Sequence, residues 1–286
     1  MPPSTLRSQR SRRDRCPGVF RPWPADDGGL VRLRLVGGRL SGRSLGELSE
    51  VAQEYGDGDV HLTGRANLQL RAMPVVDDVL PAAVVHAIER TGLLPSRSHE
   101  LVRNVMVSPL SGITGGRTDL RPVADELDRL VCADPALAAL PGRFLFVLDD
   151  GRGDLVGRSC DLGLVVLDES HVQLRIGAGW GSVVPLETAA AELVELARRF
   201  LAVRGSGEDA PWHVDELSEA LVPAVDADPR TEVRSLPLAF GPVPHATHVE
   251  VPDGVLDPEL AALLAVHDEL VVTPWRGVVV PDRDLS

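Results

Sequence analysis

Residues 61–71, His-Leu-Thr-Gly-Arg-Ala-Asn-Leu-Gln-Leu-Arg, concentrate the groups in this chain best suited to chemistry. Apolar and polar positions alternate with period two, so the spacing predicts one half-buried strand over 59–71. Val60, Leu62, Gly64, Ala66, Leu68 and Leu70 would form the inner face, and His61, Thr63, Arg65, Asn67, Gln69 and Arg71 the outer one. That outer face offers donors and cations and no carboxylate, in a chain whose formal net charge is −13. Guanidinium forks match planar carboxylates and phosphates, so the pattern points to a bound anion. The competing reading is a polar edge that simply faces water.

A second cationic pair, Arg103-Asn104, interrupts the apolar run 100–110. A cation in such a run must either meet a carboxylate or face a cleft, because burying it alone is too costly. Other motifs carry less. The glycine-rich turn 112–116 lacks the Gly-Lys-Ser/Thr ending of a phosphate loop, and 177–181 lacks the full dinucleotide fingerprint. His245 and His248 have no acid at zinc-protease spacing. Cys16, Cys132 and Cys160 are far apart and form no metal-binding pair.

Composition sets the frame. The 286 residues, 44% of them hydrophobic, suffice for two domains or one large one. No apolar run reaches about 18 residues, so no transmembrane helix is expected. All 29 basic residues are arginine, a bias shared with abundant Ala, Gly, Pro and Val, so each arginine needs a local argument. Arg7, Arg10, Arg12, Arg13 and Arg15 against Asp14 predict a disordered basic tail over 1–15. The acidic remainder argues against a nucleic-acid partner, and sparse cysteines fit reduced thiols in a cytoplasm.

These groups need elements to position them. Residues 28–36 alternate as a strand, and 44–55 have helical spacing, with Ser44 and Glu47 placed as a capping box. The strand 59–71 and a helix over 77–93 complete a first strand–helix–strand–helix unit. Helices are expected over 119–132, 187–203 and 215–222, and strands over 100–110, 143–148, 162–167 and 171–176. Near the end, strand 247–251, helix 257–266 capped by Asp257, and strand 269–280 echo the order of the first unit. The echo aligns Thr273 with Thr63 and Arg276 with Arg65, but one residue out of register. A bulge at Pro274 would restore the face.

Taken together, several segments resemble the nitrite/sulfite reductase superfamily, most closely its precorrin-3B synthase branch of aerobic cobalamin biosynthesis. They are Cys16-Pro17-Gly18, Asp27 to Arg34, Thr63 to Arg71, Arg103-Asn104-Val105 with Pro109, Leu140-Pro141-Gly142-Arg143-Phe144 and Thr273-Pro274-Trp275-Arg276. The resemblance implies an α+β fold with two ferredoxin-like half-domains, related by a pseudo-twofold, flanking a mixed α/β domain. It implies boundaries at 16–95, 96–230 and 231–286. It implies an oxidoreductase that hydroxylates a tetrapyrrole, with a non-catalytic tetrapyrrole-binding protein or a nitrite/sulfite reductase component as alternatives. Carried over, Thr63, Arg65, Asn67, Gln69, Arg71, Arg103, Asn104, Arg143 and Arg276 would hold the tetrapyrrole carboxylates or a small anion. The family uses a [4Fe-4S] cluster beside siroheme or a related tetrapyrrole. Its cluster cysteines, Cys-x5-Cys and Cys-x3-Cys, follow the second half-domain and have no counterpart here. A truncated product, one part of a split enzyme with a cluster-bearing partner chain, or a short relative are the expectations that follow.

Overall fold

The structure, a computed structural model, describes residues 16–207 and 209–282. The basic tail expected over 1–15 lies outside the described residues. The first unit begins with the hairpin β1 (Trp23–Ala25) and β2 (Gly28–Leu33), followed by β3 (Arg39–Leu40) and α1 (Gly42–Tyr55). Strand β4 (Val60–Leu62) then turns back into β5 (Leu68–Met73), and α2 (Ala82–Arg90) follows. The middle of the chain holds β6 (Val105–Val107), α3 (Arg121–Ala133), β7 (Phe146–Asp149), β8 (Leu162–Val166), β9 (His171–Ile176), β10 (Gly179–Pro185) and α4 (Ala189–Arg204). The last unit repeats the first: hairpin β11 (Gly241–Val243) and β12 (Ala246–Glu250), β13 (Val255–Leu256), α5 (Pro258–Ala265), β14 (Leu270–Val272) and β15 (Gly277–Pro281).

The repeat extends to sheet order. One sheet runs β1-β2-β5-β4-β13 and the other β11-β12-β15-β14-β3. Each unit therefore lends its short third strand to the opposite sheet. Leu256 pairs with Val60, and Leu40 pairs with Leu270. The exchange puts α1 against α5 and merges both units into one core containing Leu48, Leu70 and Ile88 together with Leu264, Leu270 and Val278. The fold is thus α+β, with two ferredoxin-like halves paired about a pseudo-twofold. Gly38 sits where the exchanged backbone passes close to β14. Val272 donates its N–H to the Gly38 carbonyl at 2.8 Å, φ is +73°, and a Cβ there would collide with the Val272 carbonyl.

The third sheet runs β10-β9-β8-β7-β6, parallel from β6 to β8 and antiparallel beyond. One face packs on α3 and α4 through Phe144, Phe146 and Phe200, whose rings meet at 5.1–5.3 Å. The other face turns Gln173 and Arg175 towards the segment 150–160 and the chain beyond 225. A parallel bridge from Val36 to Val105 joins this sheet to the first unit.

Several expectations are corrected. Residues 59–71 form two strands around a tight turn, and 269–280 does the same, so neither is one strand. The run 100–110 is extended as a strand only over Val105–Val107. The first helix is capped by Ser41, whose hydroxyl accepts from Ser44 N–H at 3.0 Å; Glu47 pairs with Arg43 at 2.8 Å and not with a capping box. The helix over 77–93 is shorter, and 215–222 reduces to a single 3₁₀ turn at Val214–Glu216.

Candidate functional site

The turn between β4 and β5 is built by Thr63. Its backbone N–H donates to the Asn67 carbonyl at 2.9 Å, its carbonyl accepts from Ala66 N–H at 3.0 Å, and its hydroxyl accepts from Asn67 N–H at 3.2 Å. Ala66 takes φ +56° to close it. Thr273 builds the same turn between β14 and β15. Its N–H donates to Gly277, its carbonyl accepts from Arg276 at 3.2 Å, its hydroxyl accepts from Gly277, and Arg276 has φ +60°. The turns superpose residue for residue without a bulge. Trp275 therefore occupies the place of Arg65, and Pro274 that of Gly64. Arg276 occupies the place of Ala66, which corrects the Arg65–Arg276 alignment.

The first turn carries the cationic group. Arg65 Nη1 donates to the Arg143 carbonyl at 3.0 Å, so the turn docks on the entry to β7. On the outer face of the first sheet, Arg32 is the cross-strand neighbour of Gln69 and donates to its Oε1 at 3.1 Å. Arg32 Nε is buried with no partner. Among the described residues, none of Arg32, Arg65 and Arg143 has a carboxylate at ion-pair distance. Burial, reinforced by the Arg65 charge, holds Arg32 below the ordinary arginine value, against the opposing influence of Cys16. Burial and then the Arg143 charge do the same to Arg65, with Cys16 and Asp161 acting against them. Arginine stays charged, so burial and the neighbouring cations make this crowding unfavourable. An anion placed among them would relieve it. Asp161, below the Arg65 turn, is itself pushed up by burial while the His213 ring and the amides of Leu145 and Val214 stabilise its charge.

The second turn has lost this character. His248 stands where Arg32 does, and Val279 where Gln69 does. His248 is buried, held below its ordinary value by burial, bonded to Thr273 Oγ1 at 3.1 Å and covered by the Phe240 ring at 4.6 Å. One half of the pseudo-dimer thus presents unpaired guanidinium groups, and its mate presents a closed aromatic patch.

The other residues singled out from the sequence fall in different places. Asn67 is buried, accepting from Leu35 N–H at 2.9 Å and donating to Asn104 Oδ1 at 3.3 Å, and Asn104 donates in turn to Gly142. These two amides join the turn to the third sheet. Arg71 is engaged by Asp27 through two bonds of 2.9–3.1 Å, and His61 meets Asp57 at 2.8 Å, so neighbouring turns bring acids to both ends of the acid-free face. Arg103 forms a two-point pair with Asp128 of α3 at 2.7–2.8 Å. It lines a groove of about 380 Å³ with Arg34, Arg39 and the acids Asp125, Asp128, Asp268 and Glu269, where cations have nearby carboxylates. Arg276 is exposed, packs over Gly254 and reaches the Asp253 carbonyl at 3.4 Å. Two arginines went unremarked as site residues. Arg32 was visible as an outward position of an alternating strand, but its register with Gln69 is a pairing fact. Arg158, in a Gly/Asp-rich loop, carried no local signal.

Comparison with known proteins agrees with the fold. Residues 24–77 match the nitrite/sulfite reductase ferredoxin-like half domain. A ferredoxin–nitrite reductase from Leptolyngbya laminosa is 31% identical over 156 residues, 52% of this chain and 30% of that protein. A ferredoxin–nitrite reductase from Synechococcus elongatus is 28% identical over 133 residues, 44% of this chain and 26% of its own length. A precorrin-3B synthase from Sinorhizobium sp is 31% identical over 158 residues, 55% of this chain and 32% of that protein. The matched region thus spans a third or less of these relatives. The solved Mycobacterium tuberculosis NirA protein has the same fold, with a TM-score of 0.68 at 18% identity over 89% of this chain and 54% of its own.

Proposed function

From the chain's place among relatives of the nitrite/sulfite reductase superfamily, with a half domain of that type at 24–77, we propose that it forms the tetrapyrrole-recognition part of an oxidoreductase of this superfamily, of the precorrin-3B synthase kind. The observation that carries the reading is the set Arg32, Arg65 and Arg143: two shielded guanidinium groups on one half of the pseudo-dimer only and an exposed one at the entry to β7, none with a carboxylate partner among the described residues. Charge-assisted bonds from these groups to acetate and propionate arms would fix a macrocycle's position and orientation. Gln69 steadies Arg32, and Asn67 with Asn104 holds the turn that carries Arg65. In this reading Arg71, Arg103 and Arg276 support the fold around the site and do not touch the ligand.

The tetrapyrrole fits the donor set, since Arg32 Nε lacks a partner. When bound, the metal centre or the macrocycle would supply the redox chemistry. An iron–sulfur cluster does not fit the described residues. None of them forms a group of three or more His, Cys, Asp or Glu able to hold a metal, and burial pushes the Cys160 thiol up to about 11. A cluster-bearing partner chain belongs to the proposal and is tested by co-purification under anaerobic conditions with iron analysis. No helix of the described residues is long and apolar enough to cross a membrane.

Titration with uroporphyrin, followed by its absorption and fluorescence, tests the reading. Saturable binding that falls in Arg32→Ala and Arg65→Ala supports it, and unchanged binding in both refutes it. The two nitrite reductase relatives favour one further reading, capture of a small oxyanion by the same arginines. Competition of nitrite or sulfite against uroporphyrin separates the two.

A further inference from the structure

The Arg158 guanidinium reaches both pseudo-symmetric turns at once. Its Nη1 donates to the Gly64 carbonyl at 3.4 Å and its Nη2 to the Pro274 carbonyl at 3.3 Å. Gly64 and Pro274 hold the same position in the two turns, one residue after the threonine that builds each. A planar fork with parallel N–H groups suits two such acceptors, and an ammonium does not reproduce its geometry. The fork thus lies between the pseudo-symmetric halves and meets each in the same way.

Its backbone is anchored as well. The Arg158 carbonyl accepts from Arg175 Nη2 at 3.0 Å, and Arg158 N–H donates to Leu155 at 2.9 Å. Arg175 is 8% exposed, lies over the Trp180 ring at 5.9 Å, and belongs to β9. A continuous path of bonds therefore leads from the third sheet through Arg175 and Arg158 to both turns. The first turn has a second tether, from Arg65 to the Arg143 carbonyl. With both in place, the first turn is held at its Gly64 carbonyl and through the Arg65 side chain.

We propose that Arg158 is a positioning residue for the anion site, its fork setting the spacing of the two turns and thereby the place of Arg65. This rests on the reading of Arg65 as an anion ligand. Arg158 need not touch the ligand. It makes the two turns behave as one unit, so that occupation of the Arg65 side is felt at the Thr273 turn, which offers the ligand no cation in the place of Arg65.

The test uses the full chain with uroporphyrin as probe, in wild type, Arg158→Ala, Arg158→Lys and Arg65→Ala. Arg158→Ala is expected to weaken binding about tenfold, the scale of a lost charge-assisted bond. Arg158→Lys, which keeps the charge without the fork, fails to restore it, while millimolar guanidinium restores Arg158→Ala and not Arg65→Ala. Hydrogen exchange at the Ala66 and Arg276 amides gives a readout that needs no ligand. Both speed up together in Arg158→Ala, and uroporphyrin slows both in wild type alone. Wild-type affinity in Arg158→Ala, or a change confined to one turn, overturns the proposal. If Arg65→Ala binds as wild type, the anion-site reading fails instead, and the paired exchange still decides whether Arg158 joins the turns.

Discussion

Arg103 and Arg65 look alike in the sequence and should respond in opposite ways to truncation. Arg103 offers Nε and Nη2 to the two oxygens of Asp128, and the side chains are 10% and 22% exposed. Arg103→Ala strands a largely buried carboxylate. Breaking such a pair costs about 3–5 kcal/mol, and the partial exposure of Asp128 places this case near the lower end, at about 3 kcal/mol. Among the described residues Arg65 has no carboxylate partner, and burial works against its charge. Arg65→Ala removes a crowded cation together with one bond to the Arg143 carbonyl, so stability should change by less than about 1 kcal/mol. Uroporphyrin affinity should follow the reverse order: nearly unchanged in Arg103→Ala, and about tenfold weaker in Arg65→Ala through loss of one charge-assisted bond. Urea denaturation gives the stabilities at equal m, and fluorescence titration gives the affinities. An Arg103→Ala protein as stable as wild type yet impaired in binding would refute the assignment of Arg103 to the scaffold.

Three further outcomes follow from the structure. Asp154 accepts from Ser108 Oγ at 2.7 Å, and burial, followed by the Asp149 charge, pushes its carboxyl up to about 7. The folded state then holds this proton more tightly than the unfolded chain. Its stabilising contribution is complete below about pH 4 and is lost as pH rises through about 7, by at most ~4 kcal/mol; denaturation of Asp154→Asn across pH 5–9 should show a flatter profile and higher stability at the alkaline end. Asn67→Ala leaves the Leu35 amide and the Asn104 carbonyl oxygen unsatisfied in a buried place and should cost about 2–3 kcal/mol by thermal or urea unfolding. Gly38→Ala combines a positive φ with a collision at the Val272 carbonyl and should cost roughly 3 kcal/mol, with faster exchange at the Val272 amide, whose partner is Gly38.

The first helix was legible because Leu45, Leu48, Ala52 and Tyr55 recur at helical spacing before Gly56, and that local pattern is what its buried face uses. The alternation over 59–71 was equally clear and misled. Polar and apolar residues in a tight turn can alternate by accident, and only the αL conformation of Ala66 and the bonds of Thr63 distinguish a turn from a strand. The same ambiguity put Arg276 opposite Arg65, when Trp275 occupies that place.

Residue types and local spacing determined that this chain would make an α+β fold, that its two ends echo one another, and that donors gather near Thr63, because these depend on neighbours within a few residues. Tertiary structure alone decided which arginines remain without an acid. Asp27 reaches Arg71 and Asp128 reaches Arg103 across 44 and 25 residues of chain, while Arg32 and Arg65 receive no carboxylate from the described residues. It also decided the exchange of β3 and β13 and the fork of Arg158 between Gly64 and Pro274. Charge pairing and strand exchange are satisfied between surfaces that meet only when the chain has folded, and no local pattern encodes which surfaces those are.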